Sequence, residues 1–239
     1  MKRIALIVAL VLPSALVAES RDVEISASDG LQLAGTVWTS EPGAPGLLLM
    51  HQYNADRTMY DNLGSQLAEA GFTVLAYDHR GLGGSTNADF DLAKNGTEAD
   101  WDKASAKFPE DAEAAHQFLE NEMGVDVIGS LGASCGGGLQ IALAAAHSKL
   151  ATLTFLSSSL TAIHVRDAMG LRTQYMLFIH AKRDRGASEA GTIAYRVGKT
   201  RSEMILYDGD SHGYPLFSED PELEGKIVDW FVAGRGRGQ

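Results

Sequence analysis

Ser134 stands at the centre of Gly132-Ala133-Ser134-Cys135-Gly136, a Gly-x-Ser-x-Gly between an apolar run and a helix-forming stretch. Two residue types that make a serine hydroxyl reactive follow it: Asp184, and His212 within Asp208-Gly209-Asp210-Ser211-His212-Gly213. A histidine takes the serine proton and a carboxylate orients the imidazole, which is what nucleophilic acyl transfer requires. The pentapeptide lies between a largely apolar run, residues 125–131, and the Ala-rich stretch 139–146, so a strand, a sharp turn and a helix are expected around Ser134. Glycines two residues before and after the serine leave room where strand and helix nearly collide. The unpaired N–H groups and dipole of the helix N-terminus then face any negative charge developing on a bound carbonyl oxygen.

Competing assignments exist for each role. Cys135 offers a thiol at the same helix terminus, where thiolates gain stability, but it lies one residue past the apex of the turn. Lys182, Arg183 and Arg185 surround Asp184 and could hold it in a surface ion pair. Asp208 and Asp210 stand too close in sequence to His212 to orient it, and Asp78, just past another strand, is a further candidate acid. Among the other histidines, His116 and His147 fall in helical patterns and His180 in a strand, so all three read as packing or surface residues. His79 and His164 are loop histidines without an assigned role, and His51 reads as a brace for the loop after residues 47–50. That loop is expected to supply a second oxyanion donor beside the Cys135 N–H, from Tyr53 first and Gln52 second.

These residues need strands that end together. Residues 23–28 and 31–38 alternate around Asp29-Gly30 and predict an N-terminal antiparallel hairpin. Residues 47–50, 72–77, 125–131, 150–156, Tyr175–Ala181 and 205–207 read as further strands. Between them, helices are expected over 54–70, capped by Asn54 or Asp56, then 110–123, 139–146, 187–198 and 223–232. Strands alternating with helices predict a mostly parallel sheet covered on both faces, with its ligand at the carboxyl ends of the strands. Residues 86–108 read as polar and irregular, and 157–173 carry no motif.

The 239 residues carry one cysteine and a formal net charge of -11. That length fits one domain. Met1-Lys2-Arg3, the apolar run 4–12 and the small residues up to Ala18 read as a secretory signal peptide; the run is short of the roughly 20 residues of a spanning helix. Residues 19–239 are thus expected as a single exported domain, periplasmic or secreted, without stable membrane association. Loss of Lys2 and Arg3 would make the net charge -13, which disfavours nucleic acid as a partner. One cysteine excludes an internal disulfide and a cysteine-rich metal site, and no His-Glu-x-x-His occurs.

Residues 25–235 resemble the α/β-hydrolase superfamily, in particular its small esterase and dienelactone-hydrolase-like members. The resemblance is carried by His51-Gln52 with Asp56-Arg57, Tyr77-Asp78-His79-Arg80-Gly81 with Gly84-Ser85, the Gly132–Gly137 turn, Asp184 and His212-Gly213, in that order. It implies a Ser134, Asp184, His212 triad, a small-molecule ester substrate and no cofactor. Many relatives have His-Gly where this chain has His51-Gln52, and dienelactone hydrolases have Cys where it has Ser134. Only 18 residues separate Leu156 from Tyr175, too few for the large helical lid of lipases. The alternatives are a non-catalytic binding module on the same fold, or a peptide or thioester hydrolase with the same triad.

Overall fold

Every residue of the strands Gly46–Met50 (β3), Thr73–Tyr77 (β4) and Thr152–Leu156 (β6) is buried, as parallel strands covered on both faces must be. In this computed structural model, which describes residues 19–87, 90–171, 173–197 and 201–237, they belong to one eight-stranded sheet. The expected signal peptide, residues 1–18, lies outside the described residues, as does Gly198 at the end of a predicted helix. The remaining strands are Glu19–Ser26 (β1), Gln32–Thr39 (β2), Val127–Ala133 (β5), Tyr175–Ala181 (β7) and Ser202–Tyr207 (β8), in the order β1-β2-β4-β3-β5-β6-β7-β8. β1 pairs antiparallel with β2, and β2 antiparallel with β4; every other pairing is parallel.

Side-chain alternation within β3 divides the core. Leu48 and Met50 face one apolar cluster, with Ala112 of Phe108–Asn121 (α4), Leu139 of Gly136–Ala146 (α5) and Ala194 of Ser188–Val197 (α7). Leu47 and Leu49 face the other, with Leu63 of Asp61–Glu69 (α1) and Ile227 of Leu223–Gly234 (α9). The fold is therefore the expected α/β-hydrolase arrangement with its antiparallel hairpin.

Local differences from the sequence expectation have plain causes. Asp56 caps a short 3-10 turn, Arg57–Tyr60, before α1 begins, and Gly71 ends the segment at φ +91. The stretch read as irregular holds Leu92–Asn95 (α2) and Glu98–Ser105 (α3). The signal for α3 is a capping box in which Thr97 and Asp100 bond each other's backbone N–H groups. A second capping box, Thr161 with His164, starts Ala162–Gly170 (α6), so His164 is helical. This single nine-residue helix occupies the interval where a lid would lie. Pro215–Glu219 (α8) was also not anticipated.

Arg80 ties the hairpin to α4. Its Nη2 lies 2.5 Å and its Nε 2.7 Å from the fully buried Asp111 carboxylate, while Nη1 reaches Asp29 in the hairpin turn at 2.7 Å. Removing one member of such a pair leaves an uncompensated buried charge. Asp111→Ala is expected to cost about 3–5 kcal/mol, read as a lowered urea midpoint.

Candidate active site

One row of paired residues, Met50, Gly132, Phe155, Phe178 and Met204, runs across five parallel strands. The strands end just beyond this row, so the segments that follow them meet at one edge. They carry His51-Gln52-Tyr53, Ser134-Cys135, Ser157 to Ser159, Asp184 and His212.

The β5–α5 turn holds Ser134 at φ +47, a left-handed conformation costly for a residue with a Cβ. Backbone bonds over-determine it. The Ser134 N–H donates to Leu156 O at 2.9 Å, and its carbonyl accepts from Gly137 and Ser159 N–H groups, each at 3.1 Å. A Cβ on Gly132 would strike the Gly136 carbonyl, and one on Gly136 would strike the Met50 carbonyl, so both flanking glycines are needed for close approach. Ser158 adds a further brace by donating from Oγ to Gly132 O at 2.9 Å. The Ser157-Ser158-Ser159 run therefore supports the turn and places Ser159 Oγ 3.3 Å from Ser134 Oγ, a contribution no sequence motif had flagged.

Ser134, Asp184 and His212 come together. Ser134 Oγ lies 2.8 Å from His212 Nε2, and His212 Nδ1 lies 2.9 Å from each Asp184 carboxylate oxygen. Asp184 is buried, only 3% exposed, and also accepts from the Gly186 N–H at 3.1 Å. Its basic neighbours do not claim it: Lys182 points outward to Asp208 at 2.6 Å. Asp78 lies apart from His212 and accepts instead from Arg57 Nη1, the Arg57 N–H and the Gly84 N–H. A carboxylate beneath Nδ1 holds that nitrogen protonated and leaves the Nε2 lone pair facing the serine hydroxyl.

The α5 N-terminus lacks a side-chain cap and has no acidic residue in its first turn, so its positive end is uncompensated. Cys135 occupies the N-cap position, and its sulfur sits 3.8 Å from His51 O. Burial pushes the thiol up to about 11, although the N–H groups of Cys135, Gly136 and Tyr53 beside the sulfur oppose the rise. Two features follow. The thiol stays protonated through pH 7–9, unlike a thiolate nucleophile. The N–H groups of Cys135 and Tyr53, the two expected donors, are also neighbours. Iodoacetamide at pH 8 is thus expected to leave Cys135 unmodified in the folded protein, as peptide mass analysis would read.

Gln52, the second candidate oxyanion donor, joins two loops through its side chain. Its buried side chain accepts the Tyr214 N–H at 2.7 Å and donates to Asn54 Oδ1 at 2.6 Å, joining the β3 loop to the loop that carries His212. Beneath it, the His79 N–H donates to His51 Nε2 at 2.9 Å, so His51 Nδ1–H is free to donate to Gln52 O at 2.7 Å. His79 Nε2 lies 3.0 Å from His51 O. Burial holds both imidazoles below their ordinary range, so this brace is neutral at pH 7. His51 thus has the bracing position expected of it. Ring contacts extend the brace from His51 through His79, Phe108 and Trp101 to Tyr53.

Gly213, at φ +70, follows His212 directly, and a Cβ there would overlap Gln52 Oε1. Gly213→Ala is expected to lower kcat about 100-fold with little change in KM, because it displaces the imidazole rather than the substrate walls. Steady-state kinetics on the folded variant would check this.

A cavity of about 460 Å³ opens beside Tyr53, lined also by Leu92, Gly96, Thr97, Glu98 and Trp101. Its walls come from α2, α3 and their connection, the segment read as irregular in sequence. Among the described residues, no helix is long and apolar enough to cross a membrane.

Comparisons with known proteins bear on the fold and the family. Residues 45–175, more than half of the chain, match the family described as Serine aminopeptidase, S33. Two uncharacterised proteins from strains of Mycobacterium tuberculosis are 30% identical over 135 residues, covering 55% of this chain. The match spans 43% of their own length, less than half. Among solved structures, the Pyrococcus furiosus esterase Pf2001 aligns with a TM-score of 0.72 at 17% identity, covering 95% of this chain and 97% of that one. A dienelactone hydrolase from Anabaena variabilis aligns with a TM-score of 0.73 at 17% identity, covering 91% and 99%. A predicted CIB-like hydrolase from Thermoplasma acidophilum gives 0.68 at 17%, covering 90% and 99%. At these identities the structures speak to the fold, whereas the sequence match speaks to the family. The chain belongs to the Serine aminopeptidase, S33 family of α/β-hydrolases.

Proposed function

We propose that the protein is an exported serine carboxylesterase that acts through an acyl-enzyme on Ser134. The observation that carries this reading is the continuous line from Ser134 Oγ through His212 to the Asp184 carboxylate, with spacings of 2.8 and 2.9 Å. His212 Nε2 takes the hydroxyl proton as Oγ attacks the ester carbonyl, and Asp184 stabilises the resulting imidazolium. The tetrahedral oxyanion faces the Cys135 and Tyr53 N–H groups, each such donor typically contributing a few kcal/mol to barrier lowering. As the intermediate collapses, Nε2 returns its proton to the departing alkoxide and the acyl group stays on Oγ. Water then gives a proton to Nε2 and attacks the acyl carbonyl, and the second collapse releases the acid and restores Ser134.

The cavity beside Tyr53 has Leu92 and Trp101 among its walls, which suits an uncharged apolar or aromatic group. Export rests on the residue 1–18 pattern. The description of the family favours one further reading, release of an N-terminal amino acid from a peptide. A panel of p-nitrophenyl acyl esters beside leucine and alanine p-nitroanilides separates the two. Higher kcat/KM on the esters supports the esterase, and higher kcat/KM on the anilides overturns it.

A further inference from the structure

Three side chains away from the triad converge where α4 passes the C-terminal end of α5. Glu113 and His116 are one turn apart on α4, and His147 is the residue at which α5 ends. His147 Nε2 lies 2.8 Å from Glu113 Oε2, and the two imidazoles stack with ring centroids 3.8 Å apart. One donor atom from each of the three residues can be chosen so that all lie within 4.8 Å of one another. We propose that Glu113, His116 and His147 bind one divalent transition-metal ion of the zinc type, pinning α4 to the end of α5.

A buried polar group without a partner needs an explanation, and His116 is such a group. It is 1% exposed, and neither ring nitrogen has a hydrogen-bond partner among the described residues. Glu113 is already oriented, because Gln117 Nε2 donates to its other oxygen at 2.8 Å, the kind of outer bond that fixes a ligating carboxylate. Glu120, whose Oε2 is 3.7 Å from His116 Nδ1, is within reach of a fourth position. Two imidazoles and a carboxylate suit zinc-like ions and disfavour Mg²⁺ or Ca²⁺, which prefer all-oxygen sets. His147 and Glu113 side chains are 24% and 35% exposed, which gives an ion an entry path. On binding, His147 Nε2 gives up the proton it donates to Glu113, to solvent or with Nδ1 protonated instead, and its freed lone pair turns to the metal. The 11 residues of α5 separate this cluster from the Ser134 turn by about 16 Å, so the ion would have a structural part and no contact with the reacting ester.

The test is a ZnCl₂ titration of chelator-treated protein, followed by native mass spectrometry and thermal unfolding. One Zn²⁺ per chain is expected, with Tm raised about 5–10 °C at a hundredfold excess over Kd. His147→Ala and Glu113→Gln, both on the solvent side and compatible with folding, should each weaken binding at least tenfold while ester turnover without metal is unchanged. His212→Ala and Cys135→Ser should bind as the wild type does, which separates this site from the triad and the thiol. No binding at millimolar Zn²⁺, or binding that survives both His147→Ala and Glu113→Gln, would overturn the proposal.

Discussion

Ser134→Ala is expected to lower ester turnover by at least about 10⁴-fold while leaving Tm within a few degrees of the wild type. The two halves of that expectation have different origins. Activity is lost because the only atom removed is the Oγ that sits 2.8 Å from His212 Nε2. Stability is kept because the bonds fixing the turn are made by the Ser134 N–H and carbonyl, which alanine retains. The position is strained in either case, since φ +47 disfavours any Cβ. Ser134→Gly should then unfold later than Ser134→Ala, by about 1 kcal/mol, while being equally inactive. Paired melts and kinetics on the three proteins would show whether the fold holds its nucleophile at a cost in stability, as strained functional residues do.

Asp184→Asn is expected to reduce kcat by about 10⁴-fold with KM nearly unchanged. The amide keeps the shape of the carboxylate and can still accept the Gly186 N–H, so packing survives. It cannot accept two interactions as an anion. Its NH₂ turned toward His212 would force the imidazole proton onto Nε2, removing the lone pair that receives the serine proton. Asp208→Asn is the control: Asp208 is 2.6 Å from Lys182 on the surface, and such a pair is worth little. Turnover in Asp208→Asn should stay within about twofold of the wild type. An equal loss in the two variants would contradict the assignment of the orienting acid.

Legibility from sequence differed by element. The strands β3, β4, β6 and β7 were plain because each is a short apolar run, and Tyr175–Ala181 matched to the residue. The Gly-x-Ser-x-Gly turn was plain because steric demand at Gly132 and Gly136 writes itself into residue type. The acid was harder to read, since Lys182, Arg183 and Arg185 mask Asp184 in one dimension, and only β7 and β8 side by side bring it under His212. Helices α3 and α6 were missed although each carries a capping box, because their apolar residues follow the period of 3.6 only weakly. The side-chain bond of Gln52 was not legible because a contact across 162 positions, from Gln52 to Tyr214, leaves no local trace. The pairing of His116 with His147 is hidden for the same reason, since their contact depends on how α4 packs on α5.

The most direct test of an activated serine is covalent labelling of the chain lacking residues 1–18 by a fluorophosphonate, read by intact mass beside Ser134→Ala and His212→Ala. Phosphonylation requires the same attack by Oγ and the same proton transfer to Nε2 as ester cleavage, but needs no knowledge of the natural substrate. One adduct per wild-type chain, mapped to the Gly132–Gly136 turn and absent from both variants, is the predicted result. A folded wild-type protein that takes up no label, or an adduct that persists in Ser134→Ala, would contradict it.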